Sequence, residues 1–260
     1  MLLFSYMLAY MDFFMYLCTL FVSIMRIAII GYGKMGHMIE SIALERGHEV
    51  VARIDAGDAF DLKDAEVAIE FTTPGTAKDN ILRAWAQGVP VVCGSTGWDV
   101  NNLQLTINNL QNFEKSSFEL KDVGGQKKVY VDGQLMLVWS SNFSVGVNIF
   151  FELNKQLAAA MKDQPQYTPS ITETHHIHKL DKPSGTAKTL CNDIMSAVSP
   201  LNGDATLKDV PIESIREGEV PGTHVVTCDI EEDTIVITHI AKGRRGFALG
   251  AVLAAEQLKQ

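Results

Sequence analysis

The feature that most constrains the fold of this chain is a short apolar run that leads directly into a glycine-rich turn. Residues 26–30 (RIAII) precede the segment Gly31-Tyr32-Gly33-Lys34-Met35-Gly36, which fits the pattern GxGxxG. Glycines in this pattern permit a tight turn and let a pyrophosphate approach the N–H groups at the start of a helix. Ordinary strand-to-helix turns can carry the same glycines, but the strand before them and the helical spacing after them favour dinucleotide binding.

Strand and helix patterns alternate through the first part of the chain. Strands are predicted at residues 26–30, 49–55, 66–72 and 90–93, and helices at residues 37–46 and 74–87. Strands separated by helices indicate parallel β-α-β units with helices on both faces of the sheet. Together with the glycine pattern, this alternation predicts an α/β fold that begins with a Rossmann-type dinucleotide-binding domain.

The ends of these strands supply further candidate contacts for a dinucleotide. Asp55 ends the second strand, 19 residues after Gly36, where a carboxylate can accept a hydrogen bond from a ribose 2′-hydroxyl. Phe71 and Thr72 follow the third strand, and Gly94-Ser95-Thr96 follow the fourth. Ligands bind at the carboxyl ends of strands in open α/β sheets. The alternative interpretation is a solvated strand end at Asp55 and plain loop chemistry at the other two positions.

The rhythm of the sequence changes after the fourth strand. Helices are predicted at residues 101–112, 143–161, 184–198 and 246–258, and strands at residues 129–139, 170–176, 224–230 and 234–241. The last two strands are joined by a short acidic turn and indicate an antiparallel pair. The polar residues 111–133 are interpreted as a loop or hairpin insertion, with Asp132-Gly133 as a hairpin dipeptide.

These patterns divide the chain into two domains after an unusual start. The dinucleotide-binding domain is predicted over residues 25–143, closed by the C-terminal helix at residues 245–260. Residues 144–244 are predicted to form a second α+β domain that contains an open mixed sheet. Residues 1–24 are almost entirely apolar and long enough to span a membrane. They have no basic leading region and no cleavage pattern, so a misassigned start or a dispensable extension is the favoured interpretation.

The densest chemistry lies in residues 173–187, ETHHIHKLDKPSGTA. Three histidines and Lys179 lie within five residues and suit proton transfer, because histidine titrates near neutrality. Ser184-Gly185-Thr186 opens a predicted helix, whose first N–H groups can receive an anion. The segment therefore predicts a site for a carboxylate substrate that needs a proton.

Two alternatives stay open for this segment. His175, His176 and His178 could bind a metal ion, but a zinc site normally adds a cysteine or an acidic ligand, and adjacent lysines repel a cation. No metal is therefore expected. The other alternative is a solvated charged loop. A second cationic patch, residues 242–246 (KGRRG), precedes the last helix and either holds a dianionic ligand or faces water.

These segments resemble the 4-hydroxy-tetrahydrodipicolinate reductase family, also called dihydrodipicolinate reductase, from about residue 25 to residue 260. Residues 173–187 are similar to the family signature E-x-H-H-x-x-K-x-D-x-P-S-G-T-A. Residues 141–148 (SNFSVGVN) and the segment REG followed by PGT resemble other parts of the family. The resemblance implies an NAD(P)H-dependent reduction of a small dicarboxylate cyclic imine, 4-hydroxy-tetrahydrodipicolinate, to tetrahydrodipicolinate in diaminopimelate and lysine biosynthesis.

The resemblance also implies a role for individual residues. His175 is implied as the acid/base and Lys179 as the proton donor. The residues implied for substrate binding are His176, Gly185, Thr186 and Arg244. The residues implied for cofactor binding are Gly31, Tyr32, Gly33, Lys34, Met35, Gly36, Asp55, Phe71, Thr72, Gly94, Ser95, Thr96, Ser141, Asn142 and Phe143. The family's usual assembly, a homotetramer built through the second domain, is expected here too.

The choice between the two nicotinamide cofactors depends on a few charges. Asp55 favours NADH, because a 2′-phosphate would meet a carboxylate of like charge. Lys34 and Arg53 are the cations that could reach a phosphate. We therefore expect NADH to be preferred modestly, with NADPH still usable.

Charge and cysteine content exclude other classes of protein. A net charge of −9 argues against a nucleic-acid surface. Four scattered cysteines without a CxxC pair indicate reduced thiols and a cytoplasmic protein. The favoured interpretation of residues 1–24 also predicts no contact with a membrane. A related dehydrogenase acting on an amino or oxo dicarboxylate is the second hypothesis. A non-catalytic nucleotide-binding sensor is the third, and it has no need of the HHIHK segment.

Overall fold

The strands of the protein divide between two sheets. The computed structural model describes residues 23–103, 116–123, 126–198 and 210–259. Its strands are β1 (Arg26–Ile30), β2 (Glu49–Ile54), β3 (Val67–Glu70), β4 (Val91–Cys93), β5 (Phe118–Val123), β6 (Gln126–Val131), β7 (Gln134–Ser140), β8 (Thr168–His175), β9 (Ile212–Arg216), β10 (Thr223–Asp229) and β11 (Thr234–Ile240). Its helices are α1 (Lys34–Glu45), α2 (Ala77–Trp85), α3 (Val145–Met161), α4 (Gly185–Val198) and α5 (Arg245–Leu258).

The first sheet has the order β2-β1-β3-β4-β7-β6-β5. The five strands from β2 to β7 in this order are parallel, and β6 and β5 are antiparallel additions at the edge. Ile27, Ile29 and Ile30 of β1 are buried, as expected for a central parallel strand covered on both faces. The structure therefore confirms the predicted α/β, Rossmann-type architecture.

The C-terminal helix α5 covers one face of this first sheet. It packs on α1 and over β3, β4 and β7, so that α5 and the first helix of the described residues share one apolar cluster. Gly250 lets α5 approach closely, because a Cβ atom there would lie 1.6 Å from the carbonyl oxygen of Phe143. Arg46 and Glu256 form an ion pair of 2.6 Å across the same contact.

The polar insertion extends the first sheet. Within residues 111–133, the described part forms the β5–β6 hairpin, and residues 111–115 and 124–125 lie outside the described residues. Asp132 and Gly133 connect β6 to β7 with φ angles of 51° and 80°, the conformation of a tight hairpin turn. The predicted hairpin is thus confirmed. The predicted helix at 101–112 begins as a short 3₁₀ turn, Val100–Asn102, and its residues 104–112 lie outside the described ranges.

The second sheet has the order β11-β10-β8-β9. β8 and β9 are parallel, whereas β8–β10 and β10–β11 are antiparallel, so the predicted open mixed sheet is confirmed. Helices α3 and α4 cover one face and bury Phe150, Phe151 and Leu190 with Ile171 and Val226. Strand β9 was not predicted, because its sequence IESIR is only half-buried and follows a stretch without clear periodicity. No helix of the described residues is long and apolar enough to cross a membrane; the apolar residues 1–22 lie outside them.

Candidate active site

A cleft of about 510 Å³ lies at the carboxyl ends of β1, β2 and β3. Gly31 lines this cleft, and Gly36 lies buried beneath it in close backbone contact with Gly31. Gly31 has a φ of +92°, and a Cβ atom there would lie 2.2 Å from the carbonyl oxygen of Phe71. A Cβ atom at Gly36 would lie 2.4 Å from the carbonyl oxygen of Gly31. Because α1 begins directly after Gly33, the N–H groups of its first turn suit a pyrophosphate.

The walls of this first cleft suit the adenosine half of a dinucleotide. Asp55 and Asp58 line it, with Asp55 directly after the end of β2. Phe60 and Arg83 form another part of the wall, and the Arg83 guanidinium lies 4.0 Å from the centre of the Phe60 ring. Thr72 completes the lining beside Gly31. The residues present therefore fit a nucleotide.

A second cleft, of about 550 Å³, continues from the first. Phe71 lines both clefts and lies against Gly94, where a Cβ atom would be 2.1 Å from the ring. The predicted cofactor residues that line the second cleft are Met35, Phe71, Gly94, Ser141, Asn142 and Phe143. His176 and Arg244, predicted for the substrate, line it too.

Four predicted cofactor residues line none of the described clefts. Gly36 is buried beneath the turn, and Lys34 is exposed at the start of α1. The Tyr32 hydroxyl donates a hydrogen bond to Glu40, which is also paired with Arg53. Arg53 is thus held over α1, beside Glu40.

Ser95, the fourth of these residues, is buried and supports the loops that do line the clefts. Its hydroxyl accepts a hydrogen bond of 2.8 Å from the N–H of Thr72. Its carbonyl oxygen accepts hydrogen bonds of 2.8 Å from the indole N–H groups of Trp98 and Trp139. Ser95 therefore fixes the position of the strand ends on either side of it.

A third cleft, of about 530 Å³, lies between the two sheets. Strand β8, the loop after it and α4 contribute five of the predicted residues: His175, His176, Lys179, Gly185 and Thr186. Thr96, Ser141 and Asn142 reach the same cleft from the strand ends of the first sheet. The structure thus brings the proton-transfer segment and the cofactor loops together, while Arg244 lines the second cleft instead.

Strand register assembles a buried polar cluster behind this third cleft. Alternation along β8 directs Glu173 and His175 to the buried face. His224 of β10 lies opposite Glu173 in the antiparallel pairing. Ser214 and Arg216 of β9 lie opposite Glu173 and His175.

Glu173 is the centre of this cluster. It is fully buried and accepts hydrogen bonds from the Ser184 N–H (3.0 Å) and the Ser214 hydroxyl (2.7 Å). Arg216 Nη2 lies 3.4 Å from its carboxylate. Burial alone would raise the pKa of Glu173, but the hydrogen bonds from Ser184 and Ser214 outweigh it and lower the pKa. The carboxylate is therefore ionised near neutrality.

The two imidazoles beside Glu173 are uncharged near pH 7. His175 Nδ1 lies 3.5 Å from the Glu173 carboxylate. Burial lowers the pKa of His175; Glu173 opposes this effect and Lys179 adds to it. Burial also lowers the pKa of His224, to about 4, and its Nε2 lies 3.2 Å from the Ser184 hydroxyl. Lys179 Nζ is 2.7 Å from the carboxylate of Asp181.

This cluster also has the composition of a metal site, but its surroundings oppose a cation. Single ligand atoms of Glu173, His175 and His224 lie within 4.8 Å of one another. Glu173 is already engaged by three donors, one of which is the Arg216 guanidinium. His178 lies 3.0 Å from Glu219 instead of joining the cluster. The arrangement suits proton transfer better than metal binding.

Sequence reasoning did not assign roles to four residues of this site. Glu173, Asp181 and Arg216 stand in segments that the family resemblance covers, but no pattern of spacing marks them as parts of one cluster. His224 begins an alternating strand, where a histidine reads as an ordinary sheet residue. The only signal in the sequence is its place on the same side of β10 as the buried Val226.

Comparisons with known proteins agree with this geometry. Residues 146–260 match the family profile "Dihydrodipicolinate reductase, C-terminus", and residues 58–120 match "Dihydrodipicolinate reductase, N-terminus". The 4-hydroxy-tetrahydrodipicolinate reductase of Christiangramia forsetii is 42% identical over 90% of this chain and 92% of its own. That of Staphylococcus aureus strain MRSA252 is 33% identical over 90% of this chain and 95% of its own.

The fold also matches a solved structure. The dipicolinate-bound dihydrodipicolinate reductase of Paenisporosarcina sp. TG-14 superimposes with a TM-score of 0.64 at 20% identity, covering 91% of this chain and 95% of that one. At this identity the likeness concerns the fold alone. The two profile matches and the 42% identical relative go further, and they show that the chain belongs to the dihydrodipicolinate reductase family of oxidoreductases.

Proposed function

We propose that the protein catalyses the NAD(P)H-dependent reduction of 4-hydroxy-tetrahydrodipicolinate to tetrahydrodipicolinate, a step of diaminopimelate and lysine biosynthesis. The observation that carries this proposal is the third cleft, where His175 and Lys179 meet Ser141 and Asn142 of the dinucleotide-binding side. A relative of that name aligns with 90% of the chain.

The reaction sets three tasks for the protein. One hydride and one proton are added to the substrate, and its 4-hydroxyl group leaves as water. The bound nicotinamide supplies the hydride. The chain's own residues must hold two carboxylates, deliver the proton and place the substrate ring beside the cofactor loops.

The start of α4 is the proposed carboxylate site. Gly185 and Thr186 form its first turn, whose free N–H groups and helix dipole favour an anion. Asn142 Nδ2 lies 3.4 Å from the Thr186 hydroxyl, so this turn contacts the cofactor loop directly. His176 and Arg244 line the adjoining second cleft and are proposed for the other carboxylate.

Lys179 and His175 are the proposed proton-transfer pair. The Lys179 ammonium has a proton to donate, and the carboxylate of Asp181 holds it in place. Burial keeps His175 neutral near neutrality, so its imidazole can accept a proton and pass one on.

NADH is the proposed preferred cofactor, with NADPH usable. Asp55 and Asp58 would both repel a 2′-phosphate in the first cleft. Arg53 is engaged by Glu40, whereas Arg83 lines the cleft and can offset part of the repulsion.

We further propose a cytoplasmic homotetramer built through the second sheet. The face of this sheet opposite α3 and α4 exposes apolar side chains at Ile215, Val236 and Ile240. A second copy of the chain is the proposed cover. Sedimentation of Val236→Lys at a lower mass than the wild-type protein would support this assembly, and an unchanged mass would oppose it.

The reaction is tested by following NADH absorbance while 4-hydroxy-tetrahydrodipicolinate is generated enzymatically. Oxidation of NADH that depends on the generating enzyme is expected. Omission of that enzyme is the control. An absence of oxidation at every substrate concentration, in a protein that still binds NADH, would instead indicate a nucleotide-binding sensor.

A further inference from the structure

We infer that Arg216 is a positioning residue. It holds the loop that carries Lys179 against Glu173 and so keeps Lys179 in place beside His175 in the third cleft. The inference rests on the proposed roles of Lys179 and His175. It adds a residue of a different strand, β9, which touches neither substrate nor cofactor in the proposed mechanism.

The guanidinium of Arg216 reaches both ends of the loop from residue 179 to residue 181. Its Nε donates a hydrogen bond of 3.2 Å to the carbonyl oxygen of Lys179. Its Nη2 donates one of 2.6 Å to the carbonyl oxygen of Asp181 and lies 3.4 Å from the Glu173 carboxylate. One side chain therefore ties the backbone on either side of Leu180 to the buried carboxylate behind His175.

Besides the contacts with Arg216, a hydrogen bond of 3.1 Å from the Lys179 N–H to the carbonyl oxygen of His176 holds the start of this loop. Leu180 at its tip is 97% exposed, so apolar packing contributes little to its position. The backbone of the segment just before it is better fixed: the Ile177 N–H bonds to the carbonyl of Gly218, and the Glu217 N–H bonds to the carbonyl of His175. Arg216 extends this contact, between residues 175–177 and residues 217–218, as far as Asp181.

The consequence for chemistry concerns the ammonium group of Lys179. Its 2.7 Å contact with Asp181 fixes the side chain only if the loop backbone is itself fixed. Misplacement of a reacting group by about 1 Å can cost about 100-fold in rate. Arg216 thus acts on turnover through the position of Lys179 and leaves the dinucleotide cleft untouched.

Lysine cannot replace arginine in this role. The planar guanidinium presents several donors in a fixed fork, whereas an ammonium is a single point of charge. Arg216→Lys keeps a cation next to the buried Glu173, so the variant should fold. It loses the simultaneous contact with the two loop carbonyls and the carboxylate.

The test is a double-mutant cycle between Arg216→Lys and Lys179→Ala, read as kcat and as the Kd for NADH. Arg216→Lys alone is expected to lower kcat by about 100-fold with an unchanged Kd. In the Lys179→Ala background the same change is expected to cost less than about threefold, because the residue through which it acts is gone. Arg26→Lys, which alters an exposed ion pair with Asp64, is the matched control.

The possible outcomes separate this inference from the proposed function. Near-normal turnover of Arg216→Lys, beside a strongly impaired Lys179→Ala, would overturn the inference and leave the function standing. Equal losses in both backgrounds would also overturn it, since Arg216 would then act independently. Near-normal turnover of Lys179→Ala would overturn the proposed proton donor and the inference with it.

A second measurement covers the case in which Arg216→Lys does not fold. In Arg216→Ala, added guanidinium is expected to restore part of the lost kcat, whereas methylammonium is not. Failure of guanidinium to restore activity in the folded variant would contradict the inference.

Discussion

The two proposed ligand-binding regions of this molecule are built on different principles. The dinucleotide clefts are formed by backbone: glycines at close contacts, a helix N-terminus and the loops that directly follow β1 to β4. The proton-transfer cluster is formed by charged and polar side chains from β8, β9 and β10, joined by strand register. The dinucleotide clefts therefore depend on the space around the main chain, whereas the proton-transfer cluster depends on the pairing of buried charges.

This contrast predicts that substitutions in the two regions impair different properties of the enzyme. Substitutions in the glycine turn should impair stability and cofactor binding while sparing proton transfer in whatever enzyme remains loaded. Substitutions in the buried cluster should impair turnover or change the pH dependence of stability, while sparing cofactor affinity. The variants below test both expectations.

The largest effect is expected for Lys179→Ala. Loss of a proton donor typically lowers kcat by about 10²–10⁴-fold. The Kd for NADH should stay near the wild-type value, because Lys179 lines the third cleft and not the first. Steady-state kinetics and a fluorescence titration with NADH measure the two quantities. Lys121→Ala, another lysine paired with a neighbouring carboxylate, is the control, and near-normal turnover of Lys179→Ala would reject the assignment.

The next effect is expected for Gly31→Ala. Gly47 offers a matched control, because it too has a positive φ, +86° against +92°, but has space for a Cβ atom among the described residues. Both changes carry the cost of a left-handed alanine, about 1–3 kcal/mol. Only Gly31→Ala adds a clash with the Phe71 carbonyl, so it should lose about 2–4 kcal/mol more in the free energy of unfolding and weaken NADH binding. Equal losses for the two variants would argue against close packing of the turn.

The same contrast explains how much of each region can be predicted from the sequence. The strand–glycine–helix order is local, so β1 to β4 were predicted to within two residues at each end and the helices between them to within three. The hairpin at Asp132-Gly133 was predicted for the same reason. Strand β9 was missed, because only its pairing with β8 reveals it as a strand.

The buried cluster could not be predicted, because no single segment of the sequence determines the register in which two strands pair. Glu173 and His224 are 51 positions apart and meet only because β10 pairs antiparallel with β8 at that residue. A shift of one residue would turn His224 to the other face. The same holds for Arg216, whose partners lie on β8 and the loop after it.

The cluster's buried histidine predicts a smaller, pH-dependent effect. Burial lowers the pKa of His224 from 6.5 to about 4. Above about pH 6.5 the His224 imidazole is uncharged in both the folded and the unfolded protein, and its contribution to stability is complete. As the pH falls toward 4, this imidazole binds a proton in the unfolded chain first, so the free energy of unfolding decreases. Between about pH 7.5 and pH 5.5 this amounts to about 1.3 kcal/mol.

His224→Asn should remove this share of the acid sensitivity. The loss of unfolding free energy between about pH 7.5 and pH 5.5 should be smaller by about 1.3 kcal/mol than in the wild-type protein. His175 and His239, whose pKa values burial also lowers, remain in both proteins. Urea unfolding at the two pH values measures the difference, and His37→Asn, an exposed histidine, is the control. Parallel pH dependence of the His224 variant and the wild-type protein would contradict the assignment of a neutral buried imidazole.

The smallest effect is expected in cofactor selectivity, where side chains modify a cleft that backbone has formed. Asp55 and Asp58 disfavour a 2′-phosphate, and Arg83, stacked on Phe60, is the arginine that lines the same cleft. Arg83→Ala should therefore lower kcat/KM for NADPH more than for NADH, by roughly threefold to fivefold, since exposed charge pairs are weak and screened by salt. Arg53→Ala is the matched control, because Glu40 already engages that guanidinium, and it should change the ratio little. A larger shift from Arg53→Ala than from Arg83→Ala would mean that Arg53 leaves Glu40 when the cofactor binds. A wild-type preference for NADPH of about tenfold or more, about 1.4 kcal/mol, would mean that the cations outweigh Asp55 altogether.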